Sequence, residues 1–176
     1  QRNVRNMDLC TVTFAKHSGE SASPLRYFVN NSAIGLEPTI TFIQQEITWM
    51  HGPLRYLLAT VIGVQRNPHW KMHLTWDAGE FEGTVTLVTA GNNKRTGGLF
   101  YMAPHADPFD GLLTFVYGFM PNRRQILSLL PRTMKPAEGS YVEHPDIHEV
   151  HSSWLHIHTE TPTPIHTDGE IQAESV

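Results

Sequence analysis

The sequence predicts a mainly β domain with a minority of helix, an α+β fold in which a sandwich-like sheet core carries helices laid on it. Three observations lead there. Seven or eight strand-like runs stand against three helical ones, the stretch from His69 alternates with a period of two, and repeats near 3.6 are confined to Glu37–Val64 and the segment after Asn122. With 176 residues the chain suits one domain, long enough to bury about two-thirds of the surface that its unfolded form exposes.

Residues 7–15 and 25–34 read as strands, separated by the polar hairpin-like stretch His17–Pro24. Glu37-Pro38 then supplies an acidic first turn and an early proline, and Ile40, Ile43, Ile47 and Met50 recur at helical spacing. His51-Gly52 ends that helix. Pro53 starts a second, whose Leu54, Leu57, Leu58, Val61 and Ile62 share one face, so the pair is expected as an αα-hairpin packed on a sheet. Met72, Leu74 and Trp76 alternate with Lys71, His73 and Thr75 as in a half-buried strand, Asp77–Glu80 turns the chain, and Phe81–Ala90 returns. Leu112–Tyr117, apolar on both faces, reads as a buried central strand. Asn122 caps a third helix carrying Ile126, Leu127, Leu129 and Leu130, Lys135–Pro145 is loop, and Ile147–Val150, Trp154–His158 and Pro164–Thr167 are short final strands.

The formal charge of −4 comes without a basic block, which argues against nucleic-acid binding and against a polybasic membrane anchor. Nothing approaches the run of about 20 apolar residues needed to span a bilayer as a helix. A single cysteine, Cys10, cannot form an internal disulfide, and with no secretory signal the reading is a reducing cytoplasm, with Cys10 as a packed thiol. The opening Gln1–Asn6 has no initiating Met and runs straight into a strand-like segment, so the chain is expected to continue a longer polypeptide.

Two acidic turns carry the chemistry. In Asp107-Pro108-Phe109-Asp110-Gly111-Leu112 the carboxylates stand three apart in a Pro- and Gly-containing turn whose carbonyls are free to point inward, the oxygen set that a hard cation such as Mg²⁺ takes. Its plainer reading is a turn before a strand. Asp168-Gly169-Glu170 offers two carboxylates at i and i+2, which share a face in extended chain and suit a general base or a metal contact; its plainer reading is a hairpin turn. Near Asn92, the cations Lys94 and Arg95 precede Gly97-Gly98 and could face phosphate, although no Walker loop or kinase-type glycine cradle occurs and a solvated loop explains them as well. His144, His148, His151, His156, His158 and His166 raise a zinc site, which Pro145, Ser152 and Ser153 argue against. No Gly-x-Ser-x-Gly elbow is present, so a serine hydrolase is excluded.

In order, Met7-Asp8-Leu9, Tyr27–Gly35, Gly52–Leu58, Gly91-Asn92-Asn93, Gly97-Gly98, Ala103–Ala106, Asp110–Leu113, Leu129-Leu130-Pro131 and Asp168-Gly169-Glu170 give motifs in register over essentially the whole chain. On these motifs the chain resembles the C-terminal domain of the diacylglycerol kinase-like lipid kinases, the group that includes sphingosine and ceramide kinases. The resemblance implies the β-sandwich-like C-terminal domain of the lipid kinase/NAD kinase-like architecture over residues 1–176, following an N-terminal domain whose Gly-Gly-Asp-Gly nucleotide loop is not in this sequence. It implies ATP, bound mainly by that N-terminal kinase domain of the same polypeptide, and Mg²⁺ as cofactors. The γ-phosphate would pass to a lipid hydroxyl, of diacylglycerol or a sphingoid-like alcohol, taken from a peripheral membrane surface at the inner face. Asp168 and Glu170 match the family's acidic catalytic pair, assigned to the acceptor hydroxyl and to Mg²⁺ or the phosphates. Asp110 matches its metal-site aspartate, with carbonyls of Asp107 and Leu112 as co-ligands. This chain differs in carrying Asp107-Pro108 where many relatives have Leu or Ile, and His105 where acidic or amide residues are commoner. By itself it is expected to be inactive. Two alternatives share the fold: a non-catalytic lipid- or ligand-binding module, and an NAD-kinase-like phosphotransferase.

Overall fold

A computed structural model describes residues 4–14, 24–136 and 138–173. Ala15 and residues 17–23 of the expected hairpin tip lie outside the described residues. Strands β1 (Cys10–Val12) and β2 (Arg26–Phe28) pair as a small two-stranded sheet. β3 (Asn31–Gly35) feeds α1 (Leu36–Glu46), and α2 (Pro53–Gln65) returns beside it. There follow β4 (Trp70–Trp76), β5 (Gly79–Val85), β6 (Leu87–Gly91), β7 (Leu113–Gly118) and α3 (Arg123–Leu129). β8 (Ile147–Ser152), β9 (Leu155–Thr159), β10 (Ile165–Thr167) and β11 (Glu170–Ala173) complete the chain. All pairing is antiparallel, in a six-stranded sheet of order β11-β10-β3-β6-β7-β8 and a three-stranded sheet of order β5-β4-β9.

One apolar core joins the two larger sheets: Met72, Leu74 and Val85 meet Ile34, Val88, Phe115, Tyr117 and Ile165. The other face of the six-stranded sheet takes the helices, with Ile40, Ile43, Ala59 and Val64 packed near Leu87. β7 serves both sides, since Phe115 and Tyr117 enter the first core while Val116 joins Met120, Leu129, Tyr141 and Ile147. That is the interior strand its apolar sequence predicts. The architecture is the expected α+β sandwich, with three α-helices among the described residues, and Asn122 does cap α3 through Gln125 N–H at 3.1 Å.

The described residues form eleven strands rather than seven or eight, and the breaks have local causes. The run 25–34 divides because the amides of Val29, Asn30 and Asn31 leave the ladder for the Asp168 carboxylate. Phe81–Ala90 divides at Thr86, where the chain crosses from the three-stranded to the six-stranded sheet. There Thr86 donates its N–H to Gly118 O, and its O accepts from Leu36 N. Of the described residues 7–14, only Cys10–Val12 is strand, and β11 returns from a turn that the sequence left without a partner strand. The expected loop 135–145 contains a short 3₁₀ turn at Tyr141–Glu143, with Tyr141 buried and its hydroxyl donating to Met102 O.

Candidate functional site

Asp168 opens the tight turn between β10 and β11 in a left-handed conformation, φ 49°, which Asp tolerates better than most residues. Its carboxylate gathers a segment far away in sequence: Oδ2 accepts from Val29 N–H at 3.0 Å, and Oδ1 accepts from Asn30 and Asn31 N–H at 3.0 and 2.9 Å. The Asp168 N–H donates back to Asn31 O at 2.8 Å. A carboxylate offers about four acceptor positions, so roughly one remains open. Glu170, two residues on, begins β11 with an exposed side chain that makes no hydrogen bond or ion pair among the described residues.

Behind that turn lies a buried polar cluster. Glu37, 3% exposed, accepts from Asn31 Nδ2 at 2.9 Å and contacts His166 Nε2 at 3.2 Å through Oε1, while Oε2 accepts from Thr89 Oγ1 at 2.7 Å. Burial alone would push the Glu37 carboxyl up; the hydrogen bond and charge of His166, joined by Thr89 and Asn31, outweigh it and hold the group below the usual carboxylate range. Glu37 is thus in the first turn of α1, as expected, yet it faces inward and clamps α1 to β3, β6 and β10. On the Asp168 side a cleft of about 680 Å³ opens, walled by Thr41, Gln44, Arg55, Gly97, Gly98 and His166. Tyr56 and Phe100, with ring centroids 5.0 Å apart, separate it from an apolar recess of about 70 Å³ lined by Ile40, Val64, Leu87, Met120 and Ile126. Burial, and then the Glu37 charge, push the Tyr56 hydroxyl well up.

The other acidic turn is built mostly from itself. Asp107 Oδ1 accepts from Phe109 N–H at 3.1 Å and Asp110 Oδ1 from Leu112 N–H at 2.9 Å, the local aspartate turns that such spacing favours. A third carboxylate joins them, for Asp8 Oδ2 accepts from Gly111 N–H and Asp8 N–H donates to Pro108 O, both at 2.8 Å. Asp107, Asp110 and Leu112 are all exposed. Asp107 and Asp110 each keep one oxygen without a hydrogen-bond partner among the described residues. Those residues hold no group of three His, Cys, Asp or Glu side chains arranged to bind a metal ion. What the turn offers a hard cation is therefore the one free oxygen of each of Asp107 and Asp110, with the remaining positions left to carbonyls and water, the oxygen donors that Mg²⁺ takes.

Asp8 and Asn92 connect the two turns. Asn92, 1% exposed, donates from Nδ2 to Asp8 O at 3.0 Å and to Val29 O at 3.1 Å, and its own N–H donates to Asn30 O at 2.8 Å. A continuous hydrogen-bonded path thus runs from Gly111 through Asp8, Asn92 and Val29 to Asp168. Cys10 lies beside it, half-buried, its thiol pushed up to about 11 by burial and then by the charges of Asp8 and Asp168.

The family description for the YegS C-terminal NAD kinase beta sandwich-like domain matches residues 31–175. The chain belongs to that family. Two diacylglycerol kinases of Mycobacterium tuberculosis, from strains CDC 1551 and H37Rv, are each 26% identical to this YegS-type domain over 148 residues, covering 83% of the chain and 46% of the relative. The chain thus spans about half the length of the curated relatives it matches. Among solved structures, two candidate diacylglycerol kinases from Bacillus anthracis str. Sterne superpose with TM-scores of 0.62 and 0.61. They share 20% and 22% identity, over 94% and 96% of this chain and 49% and 52% of theirs, a likeness of fold.

Several residues of the candidate site are not legible from motif spacing. Glu37 and His166 stand 129 residues apart and meet only because α1 and β10 flank β3. Lys94 and Arg95 are exposed and line a separate shallow surface with Tyr101, over whose ring Arg95 lies at 4.5 Å, whereas Gly97 and Gly98 open onto the Asp168 cleft. His144 and His148 share no helix: the first follows the Tyr141–Glu143 turn and the second lies on β8. His156 and His158 are on β9, facing Thr75 and His73 across the ladder.

Proposed function

We propose that this domain is the substrate-binding and part-catalytic lobe of an ATP-dependent lipid kinase that phosphorylates the hydroxyl of diacylglycerol or a sphingoid-like alcohol. Family membership and the diacylglycerol kinase names of its relatives support the class of reaction. The observation that carries the assignment to this site is the Asp168 turn, held rigidly by three amides at the edge of a polar cleft that backs onto an apolar recess.

The two carboxylates divide the work. Asp168 fixes the turn and keeps roughly one acceptor position for a metal-bound water. Glu170, exposed and unengaged among the described residues, accepts a hydrogen bond from the acceptor hydroxyl and takes its proton as the new O–P bond forms and the bond from the γ-phosphorus to the bridging oxygen breaks, with ADP as the leaving group. Mg²⁺, held by Asp110 with the carbonyls of Asp107 and Leu112, would supply positive charge beside the path that ends at Asp168. The glycine-rich grip for ATP would come from a preceding lobe of the same polypeptide, and the lipid from a membrane surface that the enzyme approaches from the cytoplasmic side. Among the described residues no helix is long and apolar enough to cross a membrane.

The lipid tail enters the apolar recess past Tyr56 and Phe100. At about 70 Å³ the recess is smaller than the roughly 300–1,000 Å³ of ordinary ligand sites, so α1, α2 or α3 must yield to admit it. Titrating the labelled domain with a short-chain diacylglycerol tests this: shifts should appear at Phe100, Met120 and Ile126 and at Glu170, and Met120→Trp should abolish them. Shifts confined to other surfaces would refute the lipid assignment. The family's NAD kinase-like sandwich supports a second reading, a dinucleotide acceptor, for which NAD would displace the lipid in the same titration.

A further inference from the structure

The outer face of the three-stranded sheet carries side chains that the lipid kinase reading leaves unused. Met72 and Leu74 of β4 and Leu155 and Ile157 of β9 turn into the core, so alternation sends Lys71, His73 and Thr75, and likewise His156 and His158, to the opposite face. The register then sets three rows across β5, β4 and β9: Thr84, Lys71 and Glu160; Glu82, His73 and His158; Glu80, Thr75 and His156. His73 and Thr75 are half-buried, and Glu80, Glu82, His156 and His158 are exposed.

Charge pairing explains part of this face. Lys71 meets Glu160 at 3.6 Å, and His73 Nε2 lies 3.1 Å from Glu80 Oε2. It does not explain why His73 is set directly opposite His158, with His156 on the diagonal. Protonated, these rings repel one another; neutral, they present nitrogen lone pairs side by side. Opposed Cβ atoms stand about 4.5–5.5 Å apart and diagonal neighbours about 7–8 Å, a gap that long side chains bridge. The His73 contact with Glu80 is such a diagonal already bridged. Its 3.1 Å is close to the roughly 3.3 Å that separates two ligands of one tetrahedral Zn²⁺ held at about 2.0–2.1 Å. The short Thr75 leaves room between Glu80 and His156, and a hollow of about 560 Å³ opens between His73, Glu82 and His158.

We propose that His73, His156 and His158, with Glu80 as a carboxylate ligand, form a binding site for a divalent transition-metal ion such as Zn²⁺. Imidazole suits Zn²⁺, Cu²⁺ and Ni²⁺, whereas Mg²⁺ keeps to oxygen, so this site and the Asp110 turn select different ions. As the side chains stand, no three among the described residues are gathered around one point. Exposed side chains exchange rotamers within nanoseconds, and the ion gathers its ligands as it binds. Bound there, it ties β9, an edge strand of this sheet among the described residues, to β4 and favours the folded chain by mass action. The abundance of histidine near the end of the chain is not what marks the site. His148 and His151 lie on β8 in the other sheet, and His73 comes from far upstream. The Asp168 turn also belongs to that other sheet, so the metal site does not rest on the lipid kinase reading.

The test is a calorimetric titration of the chain, prepared without an affinity tag and stripped with a chelator, using zinc chloride and, in a separate arm, magnesium chloride. A saturable Zn²⁺ site is expected, with a raised melting temperature, shifted imidazole ¹⁵N signals at His73, His156 and His158, and no matching response to Mg²⁺. His73→Gln, His156→Gln and His158→Gln should each weaken binding about 100-fold or more, because the loss of even a ligand's outer partner costs about 10–100-fold. Glu80→Gln should weaken it about tenfold. His148→Gln, on β8 against the Tyr117 ring, should leave it unchanged. Melts without metal check that each variant is folded. The absence of saturable Zn²⁺ binding, undiminished affinity in any of the four folded ligand variants, or a loss in His148→Gln would overturn the proposal. The titration contains neither lipid nor phosphate donor, so its failure leaves the kinase reading intact, and an inactive kinase leaves this site standing.

Discussion

The two acidic turns, Asp107–Gly111 and Asp168–Glu170, look alike in sequence and differ in how they are made. Asp107 and Asp110 each bind an amide two residues further on, so their geometry is largely local. Asp168 binds amides 137 to 139 residues away and exists as a site only when β2, β3 and β10 are assembled. The first turn is a loop decorated with charge; the second is a joint of the fold that also carries the candidate chemistry. Mutations should therefore be tolerated in one and felt throughout the domain in the other.

The largest expected effect comes from removing what holds the joint together. Glu37→Ala leaves His166, Asn31 and Thr89 without their common acceptor and should cost about 4 kcal/mol, read as a fall in melting temperature of about 10 °C. Asp168→Ala comes next, with a loss of about 2 kcal/mol as three amides lose a charged acceptor. Asp110→Ala and Asp107→Ala should each stay within about 0.5 kcal/mol of the parent. Equal losses at Asp110 and Asp168 in urea melts would erase the distinction between the turns.

Acid sharpens the same contrast. Because the Glu37 carboxyl is held below its unfolded value, the stability it contributes is complete above the unfolded pKa near 4.5 and is lost as pH falls through the lower folded value. Glu37→Gln should flatten the stability profile in that acid window. An unaltered acid limb would mean that Glu37 is not ionised in the folded domain.

Cys10 gives the smallest and most local readout. With its thiol at about 11, alkylation at pH 8 should run about 100-fold slower than for an unperturbed cysteine. Burial is the main cause, and the charges of Asp8 and Asp168 add to it. Asp168→Asn should therefore accelerate alkylation several-fold, and Asp110→Asn, whose charge is not among those causes, should leave it unchanged.

What the sequence makes legible follows the same division. Period and turn chemistry are local, so the presence of α1 and α2, the Asn122 cap, β4 and the interior β7 can be read from neighbours along the chain, whereas α1 ends at Glu46, short of Met50, and α2 buries Ala59, Thr60, Gly63 and Val64 and leaves Leu54 and Leu57 of its expected apolar face exposed. The strand breaks at Val29-Asn30 and Thr86 cannot, since each is imposed by a partner distant in sequence, Asp168 in one case and Gly118 with Leu36 in the other. Glu37 reads as a capping charge because sequence shows that it begins a helix and not that the helix start is buried. His166 disappears among ten other histidines. Arg55 lies within a quoted motif, yet only the meeting of α1, α2 and the Gly97-Gly98 rim makes it a cleft residue. The acidic turns themselves are legible; the Asp8–Asn92 path that links them is not.

The most direct test of the central claim is phosphotransfer from labelled ATP and Mg²⁺ by the polypeptide extended upstream, with diacylglycerol or NAD as acceptor and the products separated by thin-layer chromatography. The account predicts labelled lipid phosphate from the extended protein and none from the present chain, with Glu170→Gln reducing turnover at least 100-fold while leaving the melting temperature unchanged. Label on the dinucleotide, turnover by the present chain alone, or full activity in Glu170→Gln would contradict it.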